Sequence, residues 1–145
     1  MRERDKEEIQ AGWGMDPIMA MRNCLTASVY ARTAFVGLVP LCMYGVAPLS
    51  IISYSSARLW MFSTRAIDSN AFAFTRASRR EIPNLLQYAP VLTNLVDVTD
   101  NHAVRWLDWL GASYVLKSQE RGGRMFAQFV LTASKIKPRH ICQQG

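Results

Sequence analysis

The stretch 94–112, N-L-V-D-V-T-D-N-H-A-V-R-W-L-D-W-L-G-A, constrains the fold more than any other part of this 145-residue chain. In its first half, β-prone residues recur at nearly every second position, which predicts a strand. Asp100 or Asn101 can then cap a helix by accepting amide hydrogens of its first turn. Gly111 is placed to end that helix in a left-handed conformation. Apolar residues recur at helical spacing and predict one buried stripe, formed by Ala103, Trp106, Leu107 and Leu110.

The remaining chain predicts two helices and a run of strands before this stretch, and a hairpin after it. Composition alone indicates only an α/β or α+β domain, but the order of elements is more specific. We expect one domain over 1–133 and a basic, polar tail over 134–145. The predicted elements are helices over 4–12 and 16–25, strands over 29–36, 38–46 and within 50–64, a helix over 80–89 with Pro83 in its first turn, and hairpin strands over 113–119 and 125–132.

A charge-free segment of 25 residues, 33–57, is long enough to cross a bilayer. Glycine and proline interrupt it at Gly37, Pro40, Gly45 and Pro48. That density of turn-forming residues favours strands joined by tight turns over one continuous helix. We therefore expect no membrane span.

Neither the cysteines nor the histidines predict a metal site. Cys24, Cys42 and Cys142 are far apart and form no C-x-x-C pair, and the two histidines are His102 and His140. This spacing also argues against a disulfide framework and fits synthesis in a reducing compartment.

The 94–112 segment and the order of elements resemble the GCN5-related N-acetyltransferase family. In that family a strand runs into an N-x-x-A/S-[I/V]-x-x-[L/Y]-x-x-x-G-F segment. The matching positions here are Asp100, Ala103, Val104, Leu107, Gly111 and Ala112. The residues 43–47, M-Y-G-V-A, also resemble an early strand of the family. The resemblance implies a mixed, mostly antiparallel sheet flanked by helices.

The family's coenzyme A loop, R/Q-x-x-G-x-G/A, has no counterpart in this sequence. Its glycines let the backbone approach the pyrophosphate at a helix N-terminus. No glycine occurs from Val46 to Trp109, so the connection 64–81 carries side chains at those positions. We therefore expect no cofactor, and acetyl-CoA only if the chain is an enzyme. Arg76, Arg79 and Arg80 are predicted to lie near a helix N-terminus, where they form a weak candidate anion site.

The catalytic groups that the resemblance implies are missing as well. The family often uses a strand Glu as base and a Tyr on the late helix as acid. The Tyr position is Leu107, and no Asp or Glu occurs between Arg32 and Phe62. Tyr44, Asp97 and His102 are nearby, but each also suits a structural role. We assign no catalytic residue, and whether the chain is an enzyme stays open, with the balance against it.

A narrower resemblance is to small acetyltransferase-like internal virion proteins of short-tailed bacteriophages. It implies a non-enzymatic role in particle assembly or genome ejection, other virion proteins as partners, and location in the virion or, during assembly, the host cytoplasm. An active acyl-CoA-dependent N-acetyltransferase is the alternative. A small nucleic-acid-binding module is a third possibility, which rests on the net charge of +6.

The candidate partner-binding residues are aromatic side chains outside the core stripe and cations of the tail. Aromatic residues and arginine dominate interface hot spots. We expect Phe72 and Phe74 either to bind another chain or to plug the vacated cofactor cleft. We expect the chain to be oligomeric or bound in an assembly, with its tail docked on a neighbour and the tail cations facing an acidic partner or packaged DNA. The full set is Phe72, Phe74, Trp109, Lys135, Lys137 and Arg139.

Overall fold

The computed structural model describes residues 1–115 and 118–135, and these residues form three layers. A single sheet lies between two pairs of helices. The helices are α1 (Glu3–Trp13), α2 (Pro17–Ala27), the single turn α3 (Ala66–Ser69), α4 (Ala71–Leu85) and α5 (Asn101–Leu110). The strands are β1 (Tyr30–Val36), β2 (Val39–Pro48), β3 (Ser56–Ser63), β4 (Val91–Asp97), β5 (Ser113–Tyr114), β6 (Gln119–Arg121) and β7 (Arg124–Thr132).

The sheet is mixed and mostly antiparallel, as expected. Its strand order is β1-β2-β3-β4-β7-β5, and β6 also pairs with β7. Only β3 and β4 run parallel, because helix α4 carries the chain from one to the other. The charge-free segment 33–57 is the β1–β2 hairpin and the start of β3. No helix among the described residues is long and apolar enough to span a bilayer.

The two faces of the sheet bury separate clusters. Helices α4 and α5 cover one face, where Leu92 and Leu131 are fully buried. Helices α1 and α2 cover the other, where Ile9 and Ala20 pack near Trp60. Burying a leucine stabilises the fold by about 1.5–3 kcal/mol through loss of apolar area from water. Both faces of the sheet therefore contribute to the stability of the fold.

Helix α5 follows the prediction closely. Asp100, not Asn101, is its cap, and the Asp100 carboxylate accepts from the backbone N–H groups of His102 and Ala103. Gly111 ends the helix with φ 91°, a left-handed conformation that glycine adopts without strain. Leu107 and Leu110 are buried, whereas Trp106 is only half-buried. Trp109, which lies off the stripe, is 39% exposed.

The prediction for helix α4 was wrong in its boundaries. The helix spans Ala71–Leu85 instead of 80–89, so the expected loop 64–81 is helical over Ala66–Ser69 and again from Ala71 onward. Pro83 lies at the end of α4, not in its first turn. Proline lacks an N–H group, so Pro83 leaves the Arg79 carbonyl without its usual helix hydrogen bond, and α4 ends two residues later. The segment 71–79 contains several good helix formers, which fits an earlier start. The closing hairpin also differs, because β5 ends at Tyr114 and a separate strand, β6, precedes the Gly122–Gly123 turn.

Candidate functional site

Strands β3 and β4 diverge along their length and leave an opening in the middle of the sheet. Their pairing covers only Ser56–Arg58 against Val91–Thr93, although both strands continue. At the narrow end, the Asn94 side chain replaces the missing backbone bond and donates from Nδ2 to the Leu59 carbonyl at 2.9 Å. We call the gap between residues 59–63 and 94–97 the interstrand cleft.

The interstrand cleft is part of a cavity of about 1070 Å³. Helix α1 borders it on one side of the sheet, and α4 and α5 border it on the other. Phe74, His102, Trp106 and Leu107 are among the lining residues. A cavity of this size is typical of a site for a small molecule or cofactor.

Helix α1 occupies the wide end of the interstrand cleft with its own polar groups. The Ser63 N–H donates to Asp5 Oδ2 at 3.1 Å, and the Ser63 carbonyl accepts from the Arg2 N–H at 3.0 Å. Across the gap, the Asp97 N–H donates to Glu8 Oε1 at 3.4 Å. Groups of the first helix thus satisfy backbone positions on both diverging strands.

Glu8 is the most perturbed carboxyl at this site. Burial raises its pKa from 4.5 to about 7, and the nearby carboxylates of Asp100, Asp97 and Asp5 act in the same direction. The hydrogen bond from Asp97 N–H opposes the shift. A carboxyl with a pKa near neutral can take up a proton at physiological pH. The sequence did not point to Glu8, because the base that the family resemblance implies lies on a central strand and Glu8 lies on α1.

Asp97 has a structural environment. Its carboxylate is 1% exposed and accepts from Thr99 N–H at 2.9 Å, Thr99 Oγ1 at 2.7 Å and Arg124 Nη1 at 2.9 Å. Burial alone would raise the pKa of Asp97, but the hydrogen bonds from Thr99 and Arg124 outweigh it and lower the pKa. The carboxylate therefore stays ionised and holds the start of β7 against the end of β4.

Tyr44 and His102, the other nearby groups named from the sequence, lie apart. The Tyr44 hydroxyl does not border the cavity and donates to Glu81 Oε1 at 3.1 Å, beside the Tyr30 hydroxyl at 2.8 Å. Burial, and then the charge of Glu81, raise the pKa of Tyr44. His102 borders the cavity from the exposed first turn of α5. Of the three residues named from the sequence, Asp97 and His102 thus lie near the interstrand cleft and Tyr44 does not.

The segment between β3 and α4 does not form a phosphate-binding loop. Its backbone N–H groups at Ile67, Asp68 and Asn70 donate to carbonyls within the segment itself. Residues with Cβ atoms stand throughout it, so the backbone cannot approach a phosphate as glycine allows. These residues do not fit the pyrophosphate of coenzyme A in the family's pose.

The predicted position of the arginine cluster was wrong. Because α4 begins at Ala71, Arg76, Arg79 and Arg80 lie in its second and third turns and not at its N-terminus. None of the three borders the cavity. Anion binding by this cluster stays a prediction, at a position outside the interstrand cleft.

The two phenylalanines proposed as partner contacts point in different directions. Phe74 is half-buried, borders the cavity and stacks on Trp106 with ring centres 5.4 Å apart. Phe72 is 76% exposed on the outer surface of α4. The geometry fits the plug interpretation for Phe74 and leaves Phe72 free for a partner.

Alanine substitutions are expected to separate these roles. Phe74→Ala should lower the free energy of unfolding by about 2 kcal/mol, because it empties space beside Trp106. Phe72→Ala should change it by less than about 0.5 kcal/mol, because the ring is mostly in water. Urea unfolding of both variants measures the difference. Equal losses for the two would contradict this division.

The tail residues named from the sequence lie partly outside the described part of the chain. Lys135 ends a short 3-10 helix, Ala133–Lys135, whereas Lys137 and Arg139 lie outside the described residues. Within 1–115 and 118–135, no group of three or more His, Cys, Asp or Glu side chains is arranged to hold a metal ion.

Solved structures with a similar arrangement include acetyltransferases. Spermidine N-acetyltransferase from Vibrio cholerae, in complex with CoA and spermine, superposes with a TM-score of 0.64 at 13% identity, over 90% of this chain and 86% of that one. An acetyltransferase from Bacillus subtilis in complex with CoA gives 0.61 at 11% identity, over 91% and 95%. The chain has a GCN5-related acetyltransferase fold.

The similarity to solved structures comes with low sequence identity. The IAA acetyltransferase from Bacillus cereus gives a TM-score of 0.62 at 7% identity, over 91% of this chain and 92% of that one. No family model and no curated protein matches the sequence. At these identities, the similarity establishes the acetyltransferase fold alone.

Proposed function

We propose that this chain is a non-enzymatic protein with an acetyltransferase fold, which acts in phage particle assembly or genome ejection by binding other virion components. The observation that carries the non-enzymatic part is the occupied wide end of the interstrand cleft. There the Asp5 carboxylate accepts from the Ser63 N–H, and the Arg2 N–H donates to the Ser63 carbonyl. The glycine-free, helical segment before α4 supports the same conclusion.

The virion role is supported by the resemblance of residues 94–112 to internal virion proteins and by the exposed aromatic side chains. Phe72 and Trp109 are 76% and 39% exposed, and exposed aromatics next to arginine suit a binding surface. The proposed partners are other virion proteins, with packaged DNA facing the basic tail. The proposed location is the virion, and the host cytoplasm during assembly.

Titration with acetyl-coenzyme A tests the non-enzymatic part. We expect no heat of binding at ligand concentrations up to about 1 mM, a limit that corresponds to roughly −4 kcal/mol. The Vibrio cholerae spermidine N-acetyltransferase, which was crystallised with CoA, is the positive control under the same conditions. Micromolar binding by this chain, or acetylation of a defined amine, would overturn the proposal.

Mass spectrometry of purified particles tests the virion part. The chain is expected in particles of the phage that encodes it, and Phe72→Ala should lower its copy number without changing its melting temperature. Phe74→Ala, adjusted for its lower stability, is the matched variant. A chain that is present in the lysate but absent from the particles would contradict the assembly role.

An acyl-CoA-dependent N-acetyltransferase is the second candidate, favoured by polar groups left open in the interstrand cleft. The Ser63 hydroxyl is 2% exposed and has no hydrogen-bond partner among the described residues. Leu59 and Ser63 turn backbone groups towards β4, so by strand alternation Met61 does the same. An unpaired strand edge can bind an extended ligand. The titration above decides between the two candidates.

A further inference from the structure

The outer surface of α4 and α5 concentrates arginines that have no acidic partner. Salt bridges in the described part of the chain involve cations of α1, its preceding residue and β7, namely Arg2, Arg4, Lys6 and Arg124. The arginines of α4 and α5 take part in none of them. We define the arginine face as Arg76, Arg79, Arg80 and Arg105 together with the aromatic residues Phe72 and Trp109.

The carboxylates on these two helices are engaged elsewhere. Glu81 accepts the hydroxyls of Tyr30 and Tyr44, which lie on the sheet beneath α4. Asp108 accepts the Tyr114 hydroxyl at 3.1 Å. Neither carboxylate forms a salt bridge with an arginine of this face, so the arginine charges are available to an anionic partner.

Arginine and aromatic side chains alternate across the arginine face. The Arg79 guanidinium lies 4.6 Å from the centre of the Trp109 ring and so links α4 to α5. The Arg76 guanidinium lies 5.6 Å from the centre of the Phe72 ring. Arg76 and Arg80 are exposed and one turn apart on α4, about 6 Å along the helix axis.

We propose that the arginine face binds single-stranded nucleic acid. The inference rests on the binding role proposed above and gives this surface a nucleic-acid partner in addition to the virion proteins which that role names. Arginines neutralise backbone phosphates, while aromatic rings offer surfaces on which bases stack. Bases in a duplex are already stacked on one another and cannot reach Phe72 and Trp109. An acidic protein would match the charge but would not need the alternating rings.

Fluorescence anisotropy with a labelled oligothymidylate of about 20 nucleotides, long enough for such a surface, tests the proposal. We expect the single strand to bind more tightly than a duplex of equal length, and its affinity to fall as salt rises. Arg76→Glu with Arg80→Glu should weaken binding by at least about tenfold. Phe72→Ala and Trp109→Ala should each weaken it by about tenfold through lost stacking.

Arg22→Glu is the matched control, because Arg22 is an exposed arginine on α2, on the opposite side of the sheet. Arg22→Glu should change the affinity for the oligothymidylate by less than about twofold. The single change Arg76→Glu should lower that affinity by much more. Circular dichroism melting of each variant checks that the fold is retained. Equal losses for Arg22→Glu and Arg76→Glu would overturn the proposal.

Two further outcomes would overturn it. The first is that the oligothymidylate does not bind at low salt. The second is that polyglutamate displaces the labelled strand as effectively as unlabelled oligothymidylate does. That second result would indicate an acidic protein partner. Because incorporation into particles and acetyl-coenzyme A binding are measured separately, failure here leaves the proposed function standing. Failure of the proposed function is equally visible in those two measurements.

Discussion

Gly45→Ala is expected to lower the free energy of unfolding by about 3 kcal/mol or more, one of the largest losses from a single methyl group in this chain. A Cβ atom at Gly45 would lie 2.5 Å from the Tyr30 carbonyl oxygen and 2.6 Å from Trp60 Cζ2. The first of these atoms is backbone and cannot move without shifting β1. Urea denaturation followed by tryptophan fluorescence measures the loss.

Gly37→Ala separates crowding from backbone conformation. Gly37 has φ 57°, and nothing lies within 4 Å of a Cβ atom placed there. Its substitution should cost about 1 kcal/mol, the penalty for a left-handed alanine. If Gly45→Ala cost no more than Gly37→Ala, the close packing of β1, β2 and Trp60 would be wrong.

Glu8→Gln is expected to stabilise the protein above neutral pH by an amount on the order of 3 kcal/mol. The pKa of Glu8 rises from 4.5 to about 7 on folding, chiefly through burial. The contribution of the neutral carboxyl is therefore complete below pH 4.5 and is lost as pH rises through about 7. Glutamine stays neutral and can still accept from the Asp97 N–H.

Urea unfolding across this pH window, from about 4 to 8, tests the Glu8 prediction. The variant and the natural chain should have the same stability below pH 4.5 and should diverge as pH rises. Glu120→Gln on the exposed strand β6 is the control for a lost surface charge. A stability difference that does not depend on pH would contradict the assigned environment of Glu8.

Local signals in the sequence predicted much of the fold. Asp100 and Gly111 delimit α5, and Asp16 caps α2 by accepting from Ile18 and Met19 N–H. Gly37 falls at the β1–β2 turn. Each of these signals acts over a few residues, so one sequence suffices to read it.

The start of α4 could not be predicted in the same way. No capping side chain precedes Ala71, because the Asn70 side chain makes no cap bond and donates instead to the Ala66 carbonyl. Pro83 gave a false start signal, since proline is common in a first helical turn but also occurs at the end of this helix. Phe74, in the first turn of α4, packs against Trp106 of α5, and local sequence does not reveal a contact of this kind.

The residues that form the interstrand cleft could not all be predicted from the sequence. The missing glycines could be counted from the sequence, and the absence of a cofactor stays a prediction. Glu8 comes from α1, which is far in sequence from β4, so no local spacing connects it to Asp97. One signal was present: Asp5, Glu8, Ile9 and Gly12 share one face of α1, and Ile9 and Gly12 are buried on it.

The position of α1 also has a consequence for how the chain is made. Its partners come late in the sequence: Arg4 bonds Asp100, Glu7 bonds Arg124, and the Gly12 carbonyl accepts from Arg121. A ribosome synthesises a chain from its N-terminal side, so α1 is made before any of these partners. Pairings between distant residues also form slowly once the chain is free. Helix α1 can therefore be held in place only after β4, α5 and the closing strands have been made.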